Sequence, residues 1–558
     1  MKNAFRSLVA MVAVALGSAS ARAQQPAPSS PAPVTCAGAR MLVPDLFSVR
    51  WELTDVLKLA GASPAGPVFL ERPSTLSRLP VCPGNAPVAV WAMSPVDTTA
   101  GNQAGLWPVI GELVRNSGYP KDENNGALWA GVGANLAGTA GVWGRWHWFS
   151  AAIAPRIIYQ QNLAFPLVPV QAGFDPLSNP NHLNELDWPQ RMGTSSFATL
   201  DPGQSYVRAD AGYFAAGVST ENFTIGPSRL NPILMSSTAP GFPHVFLGTS
   251  RPIPTPIGPI DVQAVFGRLT KSDFDPADAN HRVFDALVVG WSPRWLPGLQ
   301  LGAARSYLVA ITDSTSFGDA LSGFLQISPT FTSGANRVGN GMGGLFGRWV
   351  LPASGFEVYG EWTREDTPYN LQDLLAEPDW TQAYGLGVQQ LARIGTGKQL
   401  HLRAELVHLG ASAPVRAGKG FYSYYAHGGG ESVTNEGQLL GAAIGPGSDA
   451  QALSVDLLSG RGLTGVWAER ARYDDDTYYM LYARRYAESR HDYELTGGLR
   501  HVYARGPLQL EGRLAYSRRH NRMFRGMQDL GDTPASIDSN LFLNLRASWF
   551  PGRWRTTP

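Results

Sequence analysis

Charge is scarce in this chain. Asp, Glu, Lys and Arg make up 16 % of its 558 residues, against about a quarter in ordinary soluble domains. The 45 basic and 44 acidic residues balance, so there is no bulk electrostatic case for nucleic acid as a partner. Cysteine is nearly absent. Cys36 and Cys82 are too far apart for a CxxC redox motif, and two thiols do not make a cysteine zinc site. Beyond the N-terminus no apolar run reaches 18 residues, which excludes a membrane-spanning helix. The HExxH and GxSxG motifs are missing as well. GASAPVRAGKG (410–420) lacks the first glycine of a phosphate loop and has Gly420 where Ser or Thr should hold magnesium. Nothing here points to an enzyme, a cofactor or a bound metal.

What is present begins with an export signal. Lys2 and Arg6 precede the apolar stretch LVAMVAVAL (8–16), and Ala21-Arg22-Ala23 offers small residues to a signal peptidase. Residues 1–23 are therefore expected to be cleaved between Ala23 and Gln24. A Pro/Ser-rich leader, QQPAPSSPAPV (24–34), follows. Export leads to an oxidising compartment, where two thiols in one small domain most often pair. Cys36 and Cys82 are the expected disulfide, with two unrelated buried thiols as the alternative. Leu46, Val49, Leu53, Val56, Leu57 and Leu59 recur at helical spacing before Gly61. WPVIGELVRNSG (107–118) reads the same way, with Val109, Leu113 and Val114 on one side. Residues 35–126 are thus expected to form a small, helix-containing periplasmic domain.

From residue 127 the period changes to two. In LQLEGRLAYS, Leu508, Leu510, Gly512 and Leu514 alternate with Gln509, Glu511, Arg513 and Ala515. QLHLRAELVHLG and LFLNLRASWF (541–550) repeat the pattern, with Arg403, Glu405 and Arg546 on the polar face. Such segments recur over more than 400 residues, well beyond a sandwich. Trp349, Trp362, Trp467, Tyr503 and Trp549 fall near strand ends, as interfacial aromatics do. An exported chain without a spanning helix enters a membrane only as a closed barrel. The fold class is an all-β transmembrane barrel over 127–550, with a tail at 551–558. At roughly 20 to 25 residues per strand and connection it holds about 16 to 20 antiparallel strands.

Three local features bear on function. Asp474-Asp475-Asp476 lacks the rest of an EF-type loop and reads as a charged turn. Tyr422, Tyr424, Tyr425 and His427 cluster in GKGFYSYYAHGGGES. They are candidates for stacking on sugar rings or, equally, for an interfacial girdle. The third is GPSRLNPILMSSTAPGFPHVFLGTSRP (226–252), apolar but interrupted by Pro227, Pro232, Pro240, Pro243 and Pro252. These prolines bar a long helix or a central strand.

NPILMSSTAPGFPHVFLG (231–248) resembles the signature segment of the capsule assembly protein Wzi family. NNGALWAGVG (124–133), LDPGQSYVRADAGYFAAGVSTENFTIGP (200–227) and NEGQLLGAAIGPGSDAQAL (435–453) agree with it. The resemblance runs from about residue 45 to the C-terminus. It implies an outer-membrane barrel of 18 strands with a small helical periplasmic part and an interior closed by loops. Its implied role is a lectin-like anchor in the assembly and attachment of capsular or other surface polysaccharide. The segment near 226–252 would then fold inward, with Phe242, Pro243, His244 and Phe246 as its plug residues. Expected partners are that polysaccharide and the lipid and lipopolysaccharide of the outer membrane, with no nucleic acid and the chain a monomer. The alternative is a porin or saccharide-specific channel. Its lumen would be constricted by Arg208, Asp210, Arg403, Glu405, Glu511 and Arg513, residues that equally suit a salt-bridged, plugged interior.

Overall fold

The computed structural model describes residues 39–82, 94–95, 102–121, 124–275, 281–311, 339–365, 371–412, 423–428, 430–483, 490–527, 536–551 and 553–555. Ala23, Gln24, the 24–34 leader, Cys36 and Tyr422 lie outside them; Cys82 is disulfide-bonded.

Eighteen antiparallel strands pair in chain order. β1 (Asn102–Asn116) and β2 (Gly133–Trp146) precede β3, which is split at Pro155 into Phe149–Ile153 and Arg156–Gln160. β4 is split after Asp201 into Phe197–Asp201 and Tyr206–Ala211. β5 (Phe214–Ser219), β6 (His244–Thr249), β7 (Ile260–Thr270) and β8 (His281–Trp291) follow. β9 (Leu299–Ile311), β10 (Asn340–Leu351), β11 (Phe356–Glu365) and β12 (Gln382–Arg393) continue the wall. Then come β13 (Lys398–His408), β14 (Asp449–Ser459), β15 (Gly462–Tyr473), β16 (Asp492–Arg505) and β17 (Leu508–His520). β18 (Ile537–Trp549) closes the barrel on β1, from Phe542 opposite Asn116 to Trp549 opposite Val109. Arg553–Arg555 resumes the same register against Gln103–Gly105, so part of the expected tail belongs to the wall.

Connections at one end are short, such as 212–213, 460–461 and 506–507. Those at the other end are long, such as 161–196, 220–243 and 409–448. Between the ends, alternation assigns each face. On β17, Leu508, Leu510, Leu514 and Tyr516 are exposed on the outside, while Gln509, Ala515 and Ser517 are buried within. Leucines outside and amides and charges inside suit lipid on one side and a polar lumen on the other. Trp349, Tyr503 and Trp549 lie outward near the short-turn end. Trp349 Nε1 donates to the Pro297 carbonyl at 3.2 Å. Trp467 departs from the expected girdle: it faces inward, packed with Val114, Leu128 and Phe542.

The expected N-terminal domain needs correcting. Residues 107–118 are no helix, and the wall begins at Asn102, not 127. A register shift at Trp107/Ile110, with Pro108 in the bulge, breaks the period of β1. Beyond it Ile110, Glu112, Val114 and Asn116 point inward. The bulge mixes both faces of a strand into spacings that imitate a helix. The first helix is real: α1 spans Val49–Leu59 and stops before Gly61, whose φ is +65°. It is buried on nearly every face, because it sits inside the barrel. Its apolar side packs with Met41, Val43 and Leu46 against the wall residues Val350, Leu391, Leu458, Leu463 and Val502 near the short-turn end. Residues 39–82 are a plug, not a free-standing domain.

The 220–243 connection folds into the lumen from the opposite end. Phe223, Ile225, Ile233, Leu234, Met235 and Phe242 pack with Phe69 and Leu70 on the wall residues Phe246, Phe284, Leu308 and Phe346. Thr224 and Ile225 pair with Glu71 and Leu70 as a two-residue ladder. Gly226, at φ +113°, passes so close to the wall that a Cβ there would meet Glu361 Oε2 at 2.3 Å. Irregular apolar backbone is tolerated at membrane depth here because protein surrounds it. The expected boundary was too generous. His244 and Phe246 lie on β6 and face inward from the wall, whereas Pro243 is exposed. Phe242 belongs to the inward segment and is buried.

Candidate functional site

The two plugs meet at Arg229. This side chain is buried at the turn of the inward segment. Its guanidinium donates to both oxygens of Asp55 on α1 and to both oxygens of Glu71. Arg348 on β10 reaches Asp55 at 2.8 Å, and Lys58 reaches Glu71 at 3.1 Å. Trp51 Nε1 donates to Glu71 Oε2 at 2.9 Å. Burial alone would push the Asp55 carboxyl up; Arg229, Arg348 and Lys58 outweigh it and hold it well below the carboxylate range. The backbone at the same turn is seated by Glu405 of β13. Its carboxylate accepts N–H bonds from Arg229, Leu230 and Asn231 at 2.8, 2.9 and 3.2 Å.

The other lumenal charges fasten α1 to the wall. Glu52 accepts from Arg403 at 3.3 Å and from Arg500 at 2.8 Å. Burial would raise its pKa, but Arg500 and Arg403 overcome that and bring it down to about 2. Glu511 accepts the Val49 N–H at 3.1 Å, and Arg546 pairs with Asp45. Asp210 pairs with Arg208 and with Arg78 of the plug. Arg208, Asp210, Arg403, Glu405 and Glu511, which would constrict a channel, therefore bind plug segments or their own neighbours, and Arg513 lies over the Trp467 ring at 5.5 Å.

Beside the plugs, along β13 to β18 and β1, lies a chamber of about 270 Å³. Trp51 and Glu52 of α1 contribute to its lining, as do Arg229 and Asn231. Its wall includes Arg403, Ser454, Trp467, Arg500, Arg513, Asn544 and Arg546. Towards the long-loop end the lining passes to Asn179, Asn181, Trp188, Gln190, Asp474 and Met523, with Trp129 from the β1–β2 connection. Indole faces among amides and paired charges suit a hydroxylated ring, one face apolar and the edges polar. The rim is tied down by His182, whose Nε2 lies 3.1 Å from Asp474 Oδ2. Burial disfavours its charged form, but Asp474 and Glu185 outweigh that and hold its pKa up at about 10.

The tyrosine cluster read as a sugar contact is elsewhere. Tyr424 and Tyr425 are fully packed. The Tyr424 hydroxyl donates to Thr363 Oγ1 at 2.7 Å. That of Tyr425 donates to the Ile233 carbonyl at 2.6 Å and accepts the Ala442 N–H at 2.8 Å. They brace the inward segment and offer no ring face to a ligand. His427 is partly open, 3.4 Å from Glu431. Asp475 and Asp476 are buried rather than solvated: Asp476 accepts the Ala411 N–H at 2.7 Å, and Asp474 starts a short helical turn. Sequence reasoning missed Trp129, Trp188, Asn179 and Asn181 as chamber residues. Two successive long connections, 117–132 and 161–196, supply them, and Trp in otherwise polar loops was the available signal.

A model of the capsule assembly protein Wzi family matches residues 123–529. The chain belongs to that family. It is an outer-membrane β-barrel of capsule assembly. The solved Wzi of Escherichia coli is described as an outer membrane protein involved in group 1 capsule assembly and as a carbohydrate-binding β-barrel. It matches with a TM-score of 0.56 at 12 % identity, covering 91 % of this chain and 99 % of that one. OccAB2 of Acinetobacter baumannii matches at 0.39 and 10 % identity, with 80 % and 98 % covered. A BenF-like porin from Pseudomonas fluorescens Pf-5 gives 0.38 and 10 %, also with 80 % and 98 % covered. No curated protein sequence matches the chain.

Proposed function

We propose that this Wzi-family barrel is a non-enzymatic lectin that holds a surface polysaccharide at the outer membrane. The observation that carries the reading is the junction at Arg229. A segment entering from the long-loop end is ion-paired there to a helix seated near the short-turn end. That leaves an aromatic, polar chamber beside a plugged lumen, a geometry for binding and not for conduction. Short turns face the periplasm and long connections face outward in barrels of this kind. The N-terminal plug then lies on the periplasmic side and the chamber rim faces the polysaccharide. The outward leucines and tryptophans contact lipid and lipopolysaccharide, and one chain completes the barrel as a monomer.

The test is purified full-length protein in planar bilayers and in a binding assay with polysaccharide extracted from the bacterium's surface. Saturable binding without steady conductance supports the lectin. Stepwise open-channel currents without polysaccharide binding would establish the channel alternative instead.

A further inference from the structure

We propose that the chamber takes the end of a polysaccharide chain, one or two sugar units deep, and so holds the polymer by its tip. This rests on the lectin reading above and adds the site and the manner of capture. Near the short-turn end α1 and its apolar cluster are packed on Leu458, Leu463 and Val502. Further in, Arg403 and Arg500 hold Glu52 in the lining. A chain entering from the loop end meets a floor. At about 270 Å³ the space lies just below the ~300–1,000 Å³ usual for small-molecule sites, enough for a mono- or disaccharide and too little for a run of polymer.

One row of side chains crosses the chamber wall. Ser454 stands directly across from Arg403 on one neighbouring strand and from Trp467 on the other. All three line the chamber. Ser454 is small, so the lining recedes between them; the Trp467 indole leans over Gly498 with the Arg513 guanidinium 5.5 Å from its ring, which leaves its edge to the chamber. Guanidinium groups in the lining offer donors to sugar oxygens, and indoles offer an apolar surface to a sugar ring. The shared chemistry is an acceptor-rich sugar unit, its oxygens from ring hydroxyls or from a carboxylate.

The experiment uses the full-length protein and three probes. These are extracted surface polysaccharide, its mild-acid fragments of one to three sugar units, and the same fragments with carboxyl groups reduced. Fragments are expected to displace the polymer completely. Ser454→Trp, which fills the recess, should abolish binding of both. Trp467→Leu should weaken both by roughly 2- to 10-fold, the worth of one aromatic contact. Reduced fragments that compete equally assign the acceptors to hydroxyls, and loss of competition assigns them to a carboxylate. Polymer binding that ignores the fragments and survives Ser454→Trp would overturn end capture while leaving the lectin intact. Absence of any polymer binding to the unaltered protein would instead overturn the lectin reading. Heat-modifiable mobility checks that each variant keeps its barrel; should Ser454→Trp misfold, fragment competition and Trp467→Leu decide.

Discussion

Replacing Arg229 by Met keeps most of the side chain's length and removes its charge where the two plugs meet. Asp55 then retains Arg348 at 2.8 Å and Lys58 at 3.5 Å. Glu71 retains Lys58 at 3.1 Å and the Trp51 indole at 2.9 Å. Breaking a buried ion pair from one side costs ~3–5 kcal/mol. The surviving partners put this case at the lower end, about 3 kcal/mol. With ~1.4 kcal/mol to each tenfold, local opening of α1 should rise roughly 100-fold. Hydrogen exchange read by mass spectrometry resolves this. Amides of α1 and of residues 224–235 should exchange faster by about that factor, while wall peptides such as those of β17 stay protected. Unchanged protection of α1 would refute the junction argument. Equal loss through the wall would refute the separation of plug from barrel.

Acid should loosen the same plug by another route. Glu52 is held at about 2 against an ordinary 4.5, so its contribution is complete above pH 4.5 and fades as pH falls towards 2. Exchange of α1 should rise over that window, and Glu52→Gln should flatten the dependence. His182 has the opposite sign: its pKa of about 10 exceeds the ordinary 6.5, so the tie to Asp474 is complete below pH 6.5 and lost as pH rises through 10. Residues 177–190 should become protease-sensitive on that alkaline side, and His182→Gln should be sensitive at every pH. Tyr424→Phe and Tyr425→Phe each remove buried hydroxyl bonds and should cost about 1 kcal/mol of stability. Neither should change polysaccharide binding, and a binding loss without a fall in melting temperature would restore the tyrosines as contacts.

The wall was legible because lipid and lumen impose opposite chemistry on alternate residues. The Leu508, Leu510 and Leu514 face could be read directly from residue order. Where that period failed, so did the reading: the bulge at Pro108 made β1 resemble a helix. α1 itself was visible from its spacing, but its surroundings were not. The pairs fixing the plug join residues hundreds of positions apart, such as Asp45 with Arg546 and Glu52 with Arg500, and no local pattern encodes them. The inward segment ends at Phe242, and the alternation over 244–249 that places His244 and Phe246 on β6 was overlooked. For Tyr424 and Tyr425 the residue type suited a sugar contact or an interfacial girdle equally, while burial, which residue type does not specify, made them braces. The chamber was illegible for the same reason as the plug: it forms only when loops and wall converge.

The most direct test of the account is made on the bacterium itself, with this gene deleted and then restored on a plasmid. The quantity to measure is cell-bound against released surface polysaccharide at constant total synthesis. The account predicts that polymer shifts into the medium on deletion and returns to the cell with the restored gene. An unchanged partition, with total polymer equal, would contradict attachment as the function of this barrel.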